Sequence, residues 1–314
     1  MARRLVIIGG DAAGMSAASQ ARRLTSPDAP ESVACERSSR TSYAACGVPY
    51  LIGGMVKTPD RLVVRTPDQH RANGIDVRIR HQAIAIDCTA QTVTVRDLDT
   101  GQEAIEHYDE LLISTGASGI TPPWSGIDAE GVLQLRTLED AAEVDRRIVA
   151  GARRAVVVGA GYIGLEVAEG LLARGLDVTV VERLDAPMAA VLDADMAGGV
   201  ADAMRAAGIN LRLGTAVTGF TTAAGRVTAV ETAAGSLAAD LAVIGLGVRP
   251  NSELARAANI GVGKTGGIIV DDRLHTGTPH VWAAGDCVES RHRITGWPVV
   301  IALGTHANKQ GRIV

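Results

Sequence analysis

The residue in this chain best suited to react is Cys46, within Ser42-Tyr43-Ala44-Ala45-Cys46-Gly47-Val48-Pro49-Tyr50. A thiol among small residues can be a buried hydrophobe, half of a disulfide, a metal ligand or a nucleophile. Three further cysteines, Cys35, Cys88 and Cys287, are present, and no pair has the C-x-x-C spacing of a zinc site or a thioredoxin-type dithiol. Tyr43 and Tyr50 flank Cys46 in a chain only 3% aromatic. Their hydroxyls can donate to a departing thiolate, or the rings can simply pack. Arg61 and Arg65 follow, as a seat for a phosphate-bearing thiol or as a solvated basic face.

Two glycine-rich turns are built to bind. Leu5 to Ile8 is an apolar run, followed by Gly9-Gly10-Asp11-Ala12-Ala13-Gly14 and an alanine-rich helical stretch. A strand, a glycine turn and a helix start form a cradle for phosphate, because backbone N–H groups and the helix dipole both favour an anion. Glu36, 22 residues after Gly14, ends an apolar strand where a carboxylate can accept from ribose hydroxyls. This copy departs from the full G-x-G-x-x-G pattern, since Asp11 replaces the middle glycine. The second copy is complete: a strand at Ala155 to Val158, then Gly159, Gly161 and Gly164, a helix to about Arg174, and a strand ending at Glu182. Gly159 permits the turn, Gly161 lets the backbone approach a pyrophosphate, and Gly164 lets the helix pack close to the strand. An acid at the ribose position favours NADH over a 2′-phosphate, although the adjacent Arg183 can accept one.

Three more segments, Glu110-Leu-Leu-Ile-Ser-Thr-Gly-Ala-Ser118, Leu241-Ala-Val-Ile-Gly-Leu-Gly-Val-Arg-Pro-Asn251 and His280-Val-Trp-Ala-Ala-Gly-Asp-Cys-Val-Glu289, are apolar strands running into glycine turns. In this order, and with the two nucleotide turns and the Cys46 segment, the chain resembles the flavoprotein pyridine nucleotide–disulfide oxidoreductases over nearly its whole length. It looks most like their single-cysteine branch: coenzyme A-disulfide reductases, NAD(P)H-dependent persulfide reductases and the related NADH oxidases and peroxidases. The resemblance implies FAD on Gly9, Gly14 and Glu36, with Asp286 at its ribityl chain or pyrophosphate. NADH or NADPH would lie on Gly159, Gly161, Gly164 and Glu182. The dithiol members carry C-x4-C, but the matching positions here are Thr41 and Leu51. The resemblance therefore makes Cys46 a lone redox cysteine that accepts electrons through the flavin. In the oxidase and peroxidase branch the first turn carries a histidine, and Ala12 stands there instead. The expected substrate is thus a low-molecular-weight disulfide or persulfide, coenzyme A disulfide-like. The alternatives are an NADH oxidase or peroxidase, and a flavin electron-transfer reductase or truncated relative without thiol chemistry.

The elements must hold these residues in an α/β fold. The expectation is two Rossmann-like three-layer domains, the NAD domain inserted into the FAD domain. Residues 1–118 begin the FAD domain, 119–246 form the NAD(P) domain, and 247–314 return to the first. In relatives a C-terminal interface domain follows and makes a homodimer; it is expected to be absent here. With 314 residues, 46% hydrophobic, a net charge of −4 and a pI near 6.0, nothing calls for nucleic acid or an anionic membrane. No apolar run reaches the roughly 18 residues of a membrane span, no signal peptide is evident, and a cytoplasmic protein with free thiols is expected. No metal site is expected.

Overall fold

The apolar run before the first glycine turn forms the strand Arg4–Ile8, with Val6, Ile7 and Ile8 buried, in a computed structural model that describes residues 3–24 and 31–314. Strand and helix contacts divide the chain into two units. One contains residues 1–44, 63–118 and 248–314, and the other 45–62 and 119–247. Residues 45–62, kept with the first 118 residues in the sequence reading, thus pack with the second unit.

The first unit is built on a parallel sheet in the order Val281–Ala283, Glu110–Ile113, Arg4–Ile8, Glu31–Glu36, Ile75–Ile79. Successive residues of a strand face opposite sides, so a run of apolar residues is buried only if both faces are covered. Both are. Ile7, Ala34, Val77 and Leu112 pack with Ala13, Ala17 and Ala18 of the helix Ala12–Leu24. Val6, Ile8, Val33, Leu111 and Ile113 pack beneath Val93 and Val95 of an antiparallel sheet formed by His81–Asp87, Thr92–Asp97 and Glu103–His107.

The second unit repeats the plan. Its parallel sheet runs Asn210–Arg212, Asp177–Val181, Arg154–Val158, Leu241–Ile244, Val132–Gln134. Val156, Val158, Val181 and Ile244 bury against Phe220, Val227 and Val230 of a second antiparallel sheet. The helix Tyr162–Ala173 packs on the parallel sheet, and its Val167, Ala168 and Leu171 are fully buried. Each unit is therefore a three-layer sandwich of helix, parallel sheet and antiparallel sheet. Among the described residues, no helix is long and apolar enough to cross a membrane.

Candidate functional site

The two glycine turns share their backbone plan. Gly9 and Gly159 have φ of +106° and +103°, in the region that L side chains avoid. Their N–H groups donate to the Cys35 carbonyl at 2.9 Å and the Val181 carbonyl at 2.8 Å. A Cβ on Gly14 would lie 2.0 Å from the Gly9 carbonyl oxygen, and one on Gly164 2.0 Å from that of Gly159. These glycines are required by the tight contact of helix start and strand end.

Each acid reaches back to its own turn. Glu36 accepts the Gly10 N–H through Oε2 and the Ser38 N–H through Oε1, both at 2.7 Å. Glu182 accepts from Ala160 and Leu184 in the same way, both at 2.8 Å. Each carboxylate oxygen spends one of its two lone pairs on the backbone and keeps one for a ligand hydroxyl. Gly161 has an ordinary φ of −83°, no atom within 4 Å of where its Cβ would be, and no side chain capping the helix behind it. That open position, at the N-terminus of a 12-residue helix with no acid in its first turn, fits the phosphates of a dinucleotide. The helix Ala12–Leu24 likewise has no acid in its first turn. The second cradle therefore suits nucleotide phosphates, and the first shares its turn except that Asp11 stands at the position of Gly161.

Other residues fix the first cradle from afar. The Ser114 hydroxyl stands 2.9 Å from the Ile8 carbonyl oxygen and 3.0 Å from that of Gly9, so it can donate to either. Gly285, with φ of +88°, abuts Ala13, and its N–H donates to Gln310 Oε1 at 2.7 Å, which sets the half-buried Asp286 beside the start of that helix. Asn251 ties together the turns after two strands: Thr115 Oγ1 donates to its carbonyl at 2.6 Å, and its Nδ2 donates back to the Thr115 carbonyl at 2.9 Å. Ser114 and Asn251 are not singled out by the sequence; their only local signal is that each stands in a strand-to-turn segment.

Cys46 is exposed, in the single turn Ala45–Gly47 that leads into the short helix Val48–Ile52. The other thiols are covered. Burial pushes Cys35 up to about 12 and also raises Cys287 and Cys88. Gly47 lies against the end of Leu62: a Cβ there would be 2.3 Å from Leu62 Cδ2. The helix docks through the fully buried Ile52. Gly53 meets Gly170 backbone to backbone, and Arg174 Nη1 donates to the Ile52 carbonyl at 3.0 Å and to Asp145 at 2.9 Å.

The structure thus places Gly9, Glu36 and Asp286 at or just after the C-terminal ends of three strands of one parallel sheet, and Gly14 in the first turn of the helix Ala12–Leu24, all in one unit. It holds Cys46 with Gly159, Gly161, Gly164 and Glu182 in the other. Tyr50 and Arg61 are exposed in the second unit, whereas Tyr43 and Arg65 are half-buried in the first. Among the described residues no three His, Cys, Asp or Glu side chains are placed to hold a metal ion.

Two Rossmann-type units, each with a glycine turn and an acid closing on it, define a chain made for two dinucleotides. It belongs to the pyridine nucleotide-disulphide oxidoreductase family, which matches residues 3–311. It is 36% identical to an NADH oxidase of Methanocaldococcus jannaschii, over 99% of this chain and 68% of that protein. It is 34% identical to an NAD(P)H coenzyme A polysulfide/persulfide reductase of Pyrococcus horikoshii, over 100% and 69%. The solved structure of an NAD-dependent persulfide reductase from A. fulgidus superposes with a TM-score of 0.95 at 38% identity; it covers 99% of this chain, which spans 58% of that one.

Proposed function

We propose that this chain is an FAD-dependent oxidoreductase that uses NAD(P)H to reduce a low-molecular-weight disulfide or persulfide at Cys46. The observation that carries the reading is the isolation of one exposed thiol, Cys46, on a loop packed against the second nucleotide-binding unit, while the other three thiols are at least partly covered. Relatives named as persulfide and coenzyme A-disulfide reductases support the substrate class.

Gly9, Gly14, Glu36 and Asp286 would hold FAD, and Gly159, Gly161, Gly164 and Glu182 the nicotinamide nucleotide. FAD, when bound, supplies the two-electron link between NAD(P)H and sulfur. The Cys46 thiolate attacks one sulfur of R–S–S–R′, forming a Cys46–S–S–R bond and releasing R′–S⁻, which takes up a proton. Two electrons from NAD(P)H and one proton then release R–SH and restore the Cys46 thiolate. Tyr50 and Arg61 are exposed in the same unit and are candidates to meet the leaving thiol and a phosphate; Tyr43 and Arg65 are candidates from the first unit. Glu182 favours NADH. A homodimer and a cytoplasmic location belong to the same proposal.

A second reading, an NADH oxidase or peroxidase, is favoured by the name of the M. jannaschii relative. Against it, Ala12 stands where the oxidase and peroxidase branch carries a histidine. The test compares wild type with Cys46→Ser on coenzyme A disulfide, hydrogen peroxide and an artificial dye. The expected result is loss of disulfide reduction with NADH-to-dye transfer retained, and a coenzyme A adduct on Cys46 in wild type by mass spectrometry. Turnover of peroxide alone would favour the second reading. A variant equal to wild type with every acceptor would point to an electron-transfer reductase.

A further inference from the structure

The chain leaves the first unit after Ala44 and returns to it at Val63, so the loop that carries Cys46 springs from a narrow neck. The neck is paired. Tyr43 and Val63 form an antiparallel bridge, and the Val64 N–H donates to the Ser42 carbonyl at 2.8 Å. Ser42 has φ of +50°, a strained conformation for a non-glycine residue that persists only where neighbours impose it.

Four contacts impose it. The Thr41 hydroxyl donates to the Gly10 carbonyl, and the Ser42 N–H donates to the same oxygen at 3.3 Å. Ser42 Oγ meets His70 Nε2 at 2.9 Å and lies 3.4 Å from Thr41 Oγ1. His70 is only 2% exposed and sits on the helix Pro67–Ala72, whose start is fixed by a capping box between Thr66 and Gln69. Its Nδ1 is buried and has no hydrogen-bond partner among the described residues. An unpaired buried N–H is rarer than an unpaired acceptor. The proton therefore belongs on Nε2, which donates to Ser42. Burial, together with the Arg65 charge, brings His70 down to about 4, so the ring is neutral near pH 7.

We infer that His70 is a positioning residue: through Ser42 and Thr41 it fixes the first-unit stem, from which the Cys46 loop departs, on the Gly10 carbonyl of the first glycine turn. This rests on Cys46 being the reactive thiol. A buried histidine spends its hydrogen bond on a left-handed serine four residues before Cys46, and that serine's neighbour grips the cradle itself. Its effect would fall on how the thiol is presented, since His70 lies in the core of the first unit.

The test uses the full chain loaded with FAD. His70→Phe fills the cavity without the hydrogen bond, and His70→Gln restores a donor. His70→Phe should lower kcat for coenzyme A disulfide about tenfold, with KM and the NADH-to-dye rate unchanged. Amide exchange of Val64, whose N–H closes the neck, should quicken about tenfold. His70→Gln should recover most of both. Should His70→Phe fail to fold, Ser42→Ala removes the same bond outside the core and should show the same pattern. Unchanged kcat and exchange, or equal loss of disulfide and dye turnover, would overturn the inference. If Cys46→Ser keeps full disulfide reduction, the function reading fails, and Val64 exchange still decides the neck.

Discussion

Glycines at matching places in the two turns do different work, and the geometry separates them. Gly164→Ala would set a methyl 2.0 Å from the Gly159 carbonyl oxygen, costing about 3 kcal/mol of stability. Gly161→Ala meets no atom within 4 Å, so folding should change by less than about 1 kcal/mol. That methyl would, however, occupy the space left for pyrophosphate, and NADH affinity should drop at least about tenfold. Thermal melts and NADH titrations of both variants decide the matter; equal effects of the two on stability would contradict it. These glycines and their acids were legible in the sequence, because close approach and positive φ leave few residue types available. Glu36 and Glu182 are picked out by spacing and by their place at the end of an apolar strand. Their backbone grip on Gly10 and Ala160 is not, since a carboxylate's partner is set by the fold.

At the scale of elements, the helix Val48–Ile52 is too short to stand alone. It is held by Ile52, by the Gly53–Gly170 contact and by Arg174, whose guanidinium bonds both the Ile52 carbonyl and Asp145. Arg174→Met keeps the packing of the side-chain stem and removes both bonds. It should loosen this helix by about 1–2 kcal/mol, seen as faster amide exchange at Gly53 and Gly54 with NADH binding unchanged. Exchange at wild-type rates would show that the apolar contacts suffice. None of this was visible in the sequence. Strands and long helices announce themselves by run and period, whereas this helix takes its place from partners more than a hundred residues away. The same holds for Ser114 and Asn251, whose side chains bond backbone groups more than a hundred residues away.

For the whole molecule, the twofold repeat of helix, parallel sheet and antiparallel sheet gives each unit its own core and its own ligand. The three tryptophans report on the units separately: Trp124, tilted against Phe220 with ring centroids 6.1 Å apart, lies in the second, and Trp282 and Trp297 lie in the first. A saturating nucleotide at a hundred times its Kd adds about 2.7 kcal/mol to the state that binds it. NADH should therefore raise the melting midpoint read from Trp124 in a Trp282→Phe/Trp297→Phe variant more than the midpoint read from Trp282 and Trp297 in Trp124→Phe. FAD should do the reverse. Equal shifts from both probes would mean that the units unfold as one. The alternating βα order made this doubled architecture readable from the strand and glycine pattern. The placement of residues 45–62 depended on tertiary packing and was not readable.

The paired neck at Tyr43 and Val63 carries an evolutionary consequence. A segment whose two ends already touch can be lengthened, shortened or replaced with little added closure entropy. Residues 44–62 therefore behave as an exchangeable cassette. A lineage could exchange the thiol-bearing turn there without disturbing either sheet, provided the incoming piece keeps a small residue at position 53 and an apolar one at 52 to seat against Gly170.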